Sequence, residues 1–389
     1  MLIGFGCLLP LLAWLSPLGF APTLAFMGLL SLPALRARRA DRPVLVIVLA
    51  GSVWFSASIL WSPFRPDELE DATALKVLAA VPLFAGAICA ARAAAPELLR
   101  RALLIAVIGL TAYGVLLTIE GLSGAAIYQW VRASTGDPIR PDLAARNVAR
   151  GAFVLSVLAA PAAAAGWRLG LGFGPALAMA AGIIAAELGF DSDAPVLALL
   201  SASAAAGAFA LAPRLAPRLM GLAALVVVLA TPGVIWGLQA AGLYDGLMQA
   251  APLSWAERMG YWSHAAARIA AHPLIGWGLD ASRTMSPDII LHPHNGPLQL
   301  WLELGVVGAA LAAALWAMLF RKASRERADL SGAAMAGAAA AYFSIAAVGF
   351  GVWQDWWLAL GVAACVLCTA LDRLSPAASA APRSSPDTD

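Results

Sequence analysis

The sequence predicts an all-α polytopic membrane protein with about twelve transmembrane helices and a large helical loop between the ninth and tenth spans. Of its 389 residues, 61% are hydrophobic and only 12% are charged, whereas soluble domains average about 25% charged residues. Polar surface is therefore too scarce to cover so much apolar mass in water. The apolar residues also form continuous runs, unlike the alternating ten-residue strands of a membrane β-barrel.

A spanning helix needs about 20 mostly apolar residues, and twelve segments approach or reach this length. They are residues 2–16, 19–35, 43–62, 74–91, 101–121, 148–166, 171–188, 194–212, 219–240, 298–320, 331–350 and 353–371. Many are rich in alanine and glycine, which let helix backbones approach closely within a membrane. We therefore expect residues 1–371 to form a tightly packed bundle, followed by a disordered tail at 372–389.

The basic residues predict the orientation of this bundle, because lysine and arginine favour the cytoplasmic side. Sixteen of the 25 basic residues fall in one set of connections. They are Arg36, Arg38, Arg39, Arg42, Arg92, Arg100, Arg101, Arg168, Arg214, Arg218, Arg321, Lys322, Arg325, Arg327, Arg373 and Arg383. We therefore predict that both termini are cytoplasmic. The outer connections include two long ones, at 122–147 and 241–297, and we expect the second to carry the chemistry.

All four histidines of the chain lie in the loop at 241–297. They are His264, His272, His292 and His294. Histidine exchanges protons near neutral pH, so their grouping indicates acid–base chemistry, although avoidance of lipid alone also keeps histidines in loops. No zinc-type ligand spacing accompanies them, and the outer loops have no clustered carboxylate pair except Asp191 and Asp193. We therefore predict a reaction that needs neither a metal nor another cofactor.

The middle of this loop predicts an amphipathic helix. A capping box beginning at Ser254 would open the helix, which should run to about His272, just before Pro273. Arg258 and Trp262 fall on one face of it. Such a helix would lie along the membrane–water boundary. The alternative interpretation is that its aromatic residues serve only as surface anchors.

The tenth span begins just after the last two histidines. Pro297 suits the first turn of a helix, so His294 and Asn295 would lie just outside it. Helix starts attract anions through their free N–H groups, and a histidine held there could take a proton beside a bound phosphate. Glu303 lies about two turns into the span, where a carboxylate is unfavourable unless it is paired.

The string HPHNGPLQLWLELGVVG at 292–308 follows HPLIGWG at 272–278 and the arginine-containing helix. This combination resembles the O-antigen ligase and O-antigen polymerase superfamily of bacterial membrane glycosyltransferases, most closely over 254–308. The resemblance implies an undecaprenyl-pyrophosphate-linked glycan as donor and lipid A-core or another glycan as acceptor. It implies an active site on the periplasmic side of the inner membrane, with His294 as the essential histidine and Arg258 as the loop arginine.

A second segment, at 140–150, resembles the asparagine-containing start of the sixth span in that family. We assign substrate binding to residues of both segments. They are Arg146, Asn147, Arg150, Trp262, His292, Asn295 and Glu303. There is one departure, because many members carry a Ser-Arg pair at the outer start of the eighth span, where this chain has Ser192 and Asp193. The role of that arginine would fall to another residue, such as Arg146 or Arg150.

Arginine is frequent on the predicted outer face, against the usual bias. The outer arginines in and near the two long connections are Arg132, Arg140, Arg146, Arg150, Arg258, Arg268 and Arg283. The arginine fork binds phosphate oxygens bidentately, so these residues favour an anionic ligand such as a lipid diphosphate. The alternative is a solvated loop whose charge is balanced by nearby acidic residues. These are Asp137, Asp142, Glu257, Asp280 and Asp288.

These observations predict a glycosyltransferase in which His294 is the general base, while Arg258 and an arginine from 140–150 hold the diphosphate. One displacement would invert the anomeric centre, because no carboxylate nucleophile is evident. A polymerase of lipid-linked repeats or a protein O-oligosaccharyltransferase fits the same motifs. A flippase would need charges in the middle of the membrane, whereas the carboxylates of the spans lie towards their outer ends. Membrane lipids are expected partners, and the net charge of +2 does not suggest nucleic acid.

Overall fold

The computed structural model describes residues 1–375, except for the side chain of Glu70, and this part of the chain is helical without strands. Its α-helices are α1 (Leu2–Leu15), α2 (Phe20–Ser31), α3 (Arg42–Ser58), α4 (Thr73–Ala93), α5 (Pro96–Ser123), α6 (Ala126–Ser134), α7 (Pro141–Arg168), α8 (Gly174–Phe190), α9 (Asp193–Leu211), α10 (Ala216–Ala240), α11 (Tyr244–Ala250), α12 (Leu253–Ala271), α13 (Gly296–Ala323), α14 (Leu330–Val348) and α15 (Asp355–Arg373). Residues 376–389 of the predicted tail lie outside the described residues.

Ten helical segments of the described chain are long and apolar enough to cross a membrane. They are Pro17–Ala34, Arg39–Ser58, Thr73–Ala93, Pro96–Ser123, Pro141–Arg168, Asp193–Leu211, Ala216–Ala240, Gly296–Ala323, Leu330–Val348 and Asp355–Arg373. The helices α1 and α8 are shorter and equally apolar. Each of the twelve predicted segments therefore coincides with a helix, and the protein is a polytopic helical membrane protein.

The predicted outer connection at 122–147 is more helical than the sequence analysis expected. It contains α6 and the first turns of α7, which begins at Pro141 and not at Val148. Proline suits the first turn of a helix, and the buried Ala144 continues the apolar face of the span toward the helix start. Consequently three residues assigned to substrate binding lie on α7. They are Arg146, Asn147 and Arg150.

Glycine makes the bundle as tight as the composition predicts. A Cβ atom on Gly182 would lie 2.5 Å from the carbonyl oxygen of Gly114 on the neighbouring helix α5. A Cβ atom on Gly86 of α4 would similarly lie 2.7 Å from the carbonyl oxygen of Gly28 on α2. Close backbone approach of this kind stabilises helix pairs in lipid, where apolar side chains gain nothing from leaving water.

The basic clusters and the histidine-containing loop lie at opposite ends of the bundle. At the basic end, Asp41 accepts hydrogen bonds from Arg92 at 2.6 Å and from Lys322 at 2.8 Å. The histidine-containing loop lies at the other end, where α13 begins and α14 ends. We call this second end the site end.

The positive-inside rule predicts that the site end faces the periplasm. Single cysteines at exposed positions would test this, with Gln249→Cys at the site end and Ala328→Cys at the basic end. The exposed native Cys7 and Cys365 would first be replaced by alanine. We expect a membrane-impermeant maleimide to label Gln249→Cys in intact cells and Ala328→Cys only after permeabilisation. The reverse pattern would contradict the orientation.

Candidate active site

A break in α13 positions the loop that carries the histidines. Gly305 has φ 64° and ψ −166° inside this helix, a conformation that is essentially restricted to glycine. Because of this break, the carbonyl groups just before Gly305 lack the N–H groups that would bond to them in a regular helix. The HPLIGWG segment replaces them, since the Trp277 N–H donates to the Leu302 carbonyl and the Gly278 N–H donates to the Glu303 carbonyl, both at 2.8 Å.

Two further hydrogen bonds complete this junction. The Val306 N–H donates to the Pro273 carbonyl, and the Trp54 indole N–H donates to the Leu304 carbonyl, both at 2.9 Å. A Cβ atom on Gly276 would lie 2.5 Å from the Glu303 carbonyl group, so the contact also requires glycine in the loop. The HPLIGWG segment and the break at Gly305 are therefore the two sides of one backbone contact. Through this contact, the backbone polar groups around the break find hydrogen-bond partners within the protein, as a spanning segment requires.

Glu303 joins three parts of the chain directly beneath the site. Its fully buried carboxylate accepts hydrogen bonds from the Asp280 N–H at 3.1 Å and the Ser282 hydroxyl at 2.7 Å. It also accepts from the Gln299 amide at 3.1 Å and the Trp353 indole at 2.6 Å. The carboxylate is paired, as its depth in the span predicts, and its partners are neutral protein groups that it holds together.

The ring of His294 is oriented by a backbone carbonyl. Its Nδ1 lies 2.9 Å from the Gly349 carbonyl oxygen. Because a carbonyl only accepts, Nδ1 carries the proton and the lone pair of the neutral ring is on Nε2. No hydrogen bond to Nε2 occurs within residues 1–375. His294 also has φ 52°, an unusual conformation for a residue other than glycine that often marks a functional constraint.

The surroundings of His294 keep the ring uncharged. Burial lowers its pKa below the usual value of 6.5, and the charge of Arg258 lowers it further, against the opposing effect of the hydrogen bond to Gly349. The neutral form therefore dominates at pH 7, and this is the form that can accept a proton.

His292 holds the backbone of His294 through a hydrogen bond. Its Nδ1 accepts a hydrogen bond from the backbone N–H of His294 at 3.2 Å. Burial, together with the charges of His294 and Arg283, lowers the pKa of His292 to about 3. The ring packs so closely on the next connection that a Cβ atom on Gly351 would lie 2.8 Å from its Cδ2. His292 is thus a neutral residue that positions the backbone of His294.

Asn295 and Trp262 also hold the backbone around His294. Asn295 is the N-cap of α13, and its side-chain oxygen accepts from the Leu298 N–H at 2.9 Å. The Trp262 indole donates to the Pro293 carbonyl at 2.9 Å. These contacts confirm that His294 precedes the helix start, as the sequence predicts.

Arg258 approaches the histidines from α12. One of its terminal nitrogens donates to the Val348 carbonyl at 3.2 Å, one residue before the carbonyl that orients His294. Its guanidinium lies 5.2 Å from the ring centre of Trp255, whose indole donates to Asp193 at 3.0 Å. Burial lowers the pKa of Arg258, but the value for arginine is so high that the group remains charged at neutral pH.

The predicted capping box at Ser254 is wrong. The helix begins at Leu253, and Pro252 is its N-cap without a side-chain hydrogen bond. Ser254 therefore already belongs to the first turn, where its hydroxyl cannot cap the helix. The end of the predicted helix is confirmed, because α12 stops at Ala271, and its face with Ile269 is buried.

Helix α7 brings its first two turns toward the same region. The ring of Phe153 packs against that of Phe350, with 4.7 Å between ring centres, and Phe350 follows the carbonyl that orients His294. Arg150 lies about one turn before Phe153, and Arg146 about one turn earlier. Both arginines are exposed. Asn147 lies between them and contacts protein groups, since its amide and the Arg150 guanidinium are 3.4 Å apart.

Most arginines at the site end pair with a carboxylate. The pairs are Arg132 with Asp137, Arg140 with Asp142, Arg268 with Asp288 and Arg283 with Asp280. Four arginines at this end form no ion pair with any described side chain, namely Arg65, Arg146, Arg150 and Arg258. The Arg65 guanidinium donates only to backbone carbonyls, those of Ile59, Ser62 and Phe64. The balanced-loop interpretation therefore describes the first group. The unpaired group includes Arg146, Arg150 and Arg258, the arginines from which the sequence predicts the ligands of a diphosphate.

The connection between α14 and α15 contributes residues that the sequence analysis missed. It supplies the Gly349 carbonyl, the Trp353 indole bound to Glu303, and Gln354, whose side-chain nitrogen is 3.3 Å from His292 Nε2. A polar residue between two apolar spans is a weak signal for Gln354. A backbone carbonyl leaves no signal in the sequence. Within residues 1–375, no three histidine, cysteine or acidic side chains are arranged to hold a metal ion.

Comparison with known proteins places the likeness on the same part of the chain. Residues 174–313 match the family model described as O-antigen ligase. A Rickettsia felis protein named "Putative polysaccharide ligase" is 27% identical over 126 residues, which are 29% of this chain and 31% of that protein. Proteins of similar name from Rickettsia typhi and Rickettsia bellii are 29% identical over 121 residues and 31% identical over 135 residues.

The matches to these two proteins cover 28% and 31% of this chain, and 30% and 33% of the relatives. The chain thus spans about a third of the length of the curated relatives it matches. No solved structure matches it. The family match includes 254–308, where the motifs of the loop and of α13 lie, and confirms the resemblance to the O-antigen ligase superfamily.

The junction at the α13 break predicts that Gly305→Ala is strongly destabilising. A methyl group there would clash with the Leu274 carbonyl, and the backbone conformation alone is unfavourable by about 1–3 kcal/mol for residues other than glycine. We expect a clear fall in the melting temperature of the purified protein in detergent. Gly237→Ala in α10 is the matched control, because its Cβ atom would meet open space and alanine favours helices. Equal melting temperatures for the two variants would contradict this account.

Proposed function

We propose that this protein, which resembles O-antigen ligases over residues 174–313, is a membrane glycosyltransferase. It moves a glycan from an undecaprenyl-pyrophosphate carrier to a sugar hydroxyl of lipid A-core. In this proposal the site end faces the periplasm and the protein lies in the bacterial inner membrane, with both termini in the cytoplasm. The family match supports the general class of activity, and the arrangement of the site supports the specific reaction.

One observation carries the proposal more than any other. A neutral histidine with its lone pair on Nε2 lies beside an arginine that has no carboxylate partner among the described residues. Two further arginines of this kind, Arg146 and Arg150, occupy the start of α7 at the same end. A base next to concentrated positive charge suits a reaction in which a hydroxyl loses a proton while a diphosphate leaves.

The reaction is a single displacement at the anomeric carbon. The acceptor hydroxyl oxygen forms a bond to that carbon while His294 Nε2 takes the hydroxyl proton. The bond between the anomeric carbon and the phosphate oxygen breaks, and its electron pair leaves with the lipid diphosphate. Arg258, with Arg146 or Arg150, stabilises the negative charge of the diphosphate. The two substrates lie on opposite faces of the transferred sugar, so the reaction inverts the anomeric configuration.

The alternatives within this superfamily differ in the acceptor and not in this chemistry. A polymerase would use a second lipid-linked repeat, and a protein O-oligosaccharyltransferase would use a serine or threonine hydroxyl. The deciding experiment supplies purified protein in detergent with a lipid-linked donor and each acceptor separately. Gel mobility of the products identifies the acceptor. Transfer to lipid A-core supports the ligase assignment, and exclusive transfer to another acceptor contradicts it.

The role of His294 predicts that His294→Ala slows transfer by roughly 10²–10⁴-fold, the usual contribution of a general base. His292→Ala should be milder, because His292 acts on His294 through the backbone. Binding of the donor should survive in both variants, since the arginines remain, and a fluorescent lipid diphosphate can measure it. Addition of EDTA should leave wild-type transfer unchanged. Full transfer by His294→Ala or inhibition by EDTA would overturn the mechanism.

The charge of Arg258 predicts a specific change in the pH profile. Transfer needs neutral His294, so kcat/KM should fall as the pH drops through a pKa below 6.5. Arg258→Gln removes a charge that lowers this pKa, so the acid limb should move to higher pH. Arg258→Lys keeps the charge, so the limb should stay in place. Both variants should transfer about 10²-fold more slowly or worse, because neither forms the arginine fork. An unshifted limb in Arg258→Gln would contradict the coupling.

A further inference from the structure

Arg283 belongs to a segment that is tied directly to the histidine-containing loop. The preceding residue, Ser282, is almost fully buried, and its hydroxyl oxygen lies 2.9 Å from the Leu291 carbonyl oxygen and 2.7 Å from the Glu303 carboxylate. The short turn Ala281–Thr284 therefore keeps a constant position relative to His292. Arg283 is consequently part of the framework around the site, although it is remote from Arg258 in sequence.

The guanidinium of Arg283 contacts Asp280 and Phe64 and is partly exposed to solvent. Its Nε pairs with an Asp280 carboxylate oxygen at 3.2 Å, and its Cζ lies over the ring of Phe64, 5.3 Å from the ring centre. The Asp280 side chain is only 5% exposed, whereas that of Arg283 is 41% exposed. A ligand arriving from solvent therefore meets the guanidinium and not the carboxylate. The terminal nitrogens of Arg283 form no hydrogen bond within residues 1–375.

Two arginines act electrostatically on the histidine pair. The charge of Arg258 lowers the pKa of His294, whereas the charge of Arg283 contributes to the low pKa of His292. If Arg258 holds the leaving diphosphate, the in-line geometry places the acceptor on the opposite face of the transferred sugar. The turn that carries Arg283 is hydrogen-bonded to Leu291, next to His292, whereas Arg258 is bonded next to the carbonyl that orients His294. Arg283 is therefore on the His292 side of the pair, which is the side left for the acceptor.

Lys76 adds a second positive charge near this place, but its carboxylate partner is exposed, whereas that of Arg283 is buried. Its charge opposes the rise that burial causes in the pKa of Asp280. Its Nζ lies 4.0 Å from a carboxylate oxygen of Asp355, and both of these side chains are exposed. Asp355 would compete with an incoming anion for Lys76, so the binding role falls to Arg283.

We propose that Arg283 binds a phosphate or carboxylate group of the acceptor, so that the protein selects an acidic glycan over a neutral one. This inference rests on the proposed transfer reaction and adds the class of acceptor. An arginine whose Nε is already fixed, and whose terminal nitrogens are free, loses little freedom when it binds an oxyanion. The donor also carries an anion, its diphosphate, so the experiment must separate the two substrates.

The test uses wild-type protein, Arg283→Gln and Arg268→Gln with one lipid-linked donor and two acceptors. One acceptor is lipid A-core that carries core phosphates, and the other is the same preparation after the core phosphates are removed enzymatically. Arg268 is the matched control, because it is an exposed arginine of the same part of the chain that is also paired with an aspartate and stacked on an aromatic ring. The readout is kcat/KM for each acceptor and KM for the donor.

We expect wild-type protein and Arg268→Gln to prefer the phosphorylated acceptor by about tenfold or more, the scale of a hydrogen bond between charged groups. Arg283→Gln should lose that preference while its KM for the donor stays unchanged. A retained preference in Arg283→Gln, a preference absent from wild-type protein, or a raised KM for the donor alone would overturn the inference. A wild-type protein that transfers to neither acceptor would instead contradict the proposed function.

Discussion

Backbone groups within a membrane must find their hydrogen-bond partners inside the protein, and the break at Gly305 concentrates that requirement at one place in α13. The carbonyl groups just before the break accept hydrogen bonds from the HPLIGWG segment. The carboxylate of Glu303 accepts hydrogen bonds from the turn at 280–282 and from the connection after α14. The histidines lie directly above this junction. Their positions thus depend on backbone geometry. Gly276 and Gly305 are required for the close backbone contact itself, whatever part they have in catalysis.

The electrostatic arrangement follows from the same scaffold. Burial keeps His294 neutral, and the carbonyl of Gly349 selects the nitrogen that holds its lone pair. Arg258 is stacked on Trp255, which in turn is held by Asp193. Asp193 begins α9, so the start of this helix contributes to holding an arginine of α12 through Trp255. The proposed base and the positive charge are therefore arranged before any substrate arrives, which is the arrangement that the proposed electrostatic catalysis requires.

The sequence predicts the helices well, because long apolar runs, Pro297 and Asn295 act through local physical effects. It fails where local signals compete or contacts are distant. The segment from Ser254 to Glu257 has the sequence of a capping box, yet the N-cap is Pro252 and the helix begins at Leu253, one residue before Ser254. The connection at 122–147 reads as polar, yet the apolar face of α7 extends into it. The contact between His294 and Gly349 joins residues 55 positions apart through a backbone oxygen, and no residue identity could reveal it.

That last contact has a consequence for how the protein can be divided. The segment that matches the O-antigen ligase family ends at 313, whereas the carbonyl that orients His294 belongs to residue 349. A chimera that exchanged only the matched segment with a relative would receive a histidine whose orienting oxygen comes from the recipient. An exchange that preserved this contact would have to include the α14–α15 connection together with the histidine motif. The site is formed by two segments that are separated in sequence, and its boundaries differ from those of the recognisable sequence similarity.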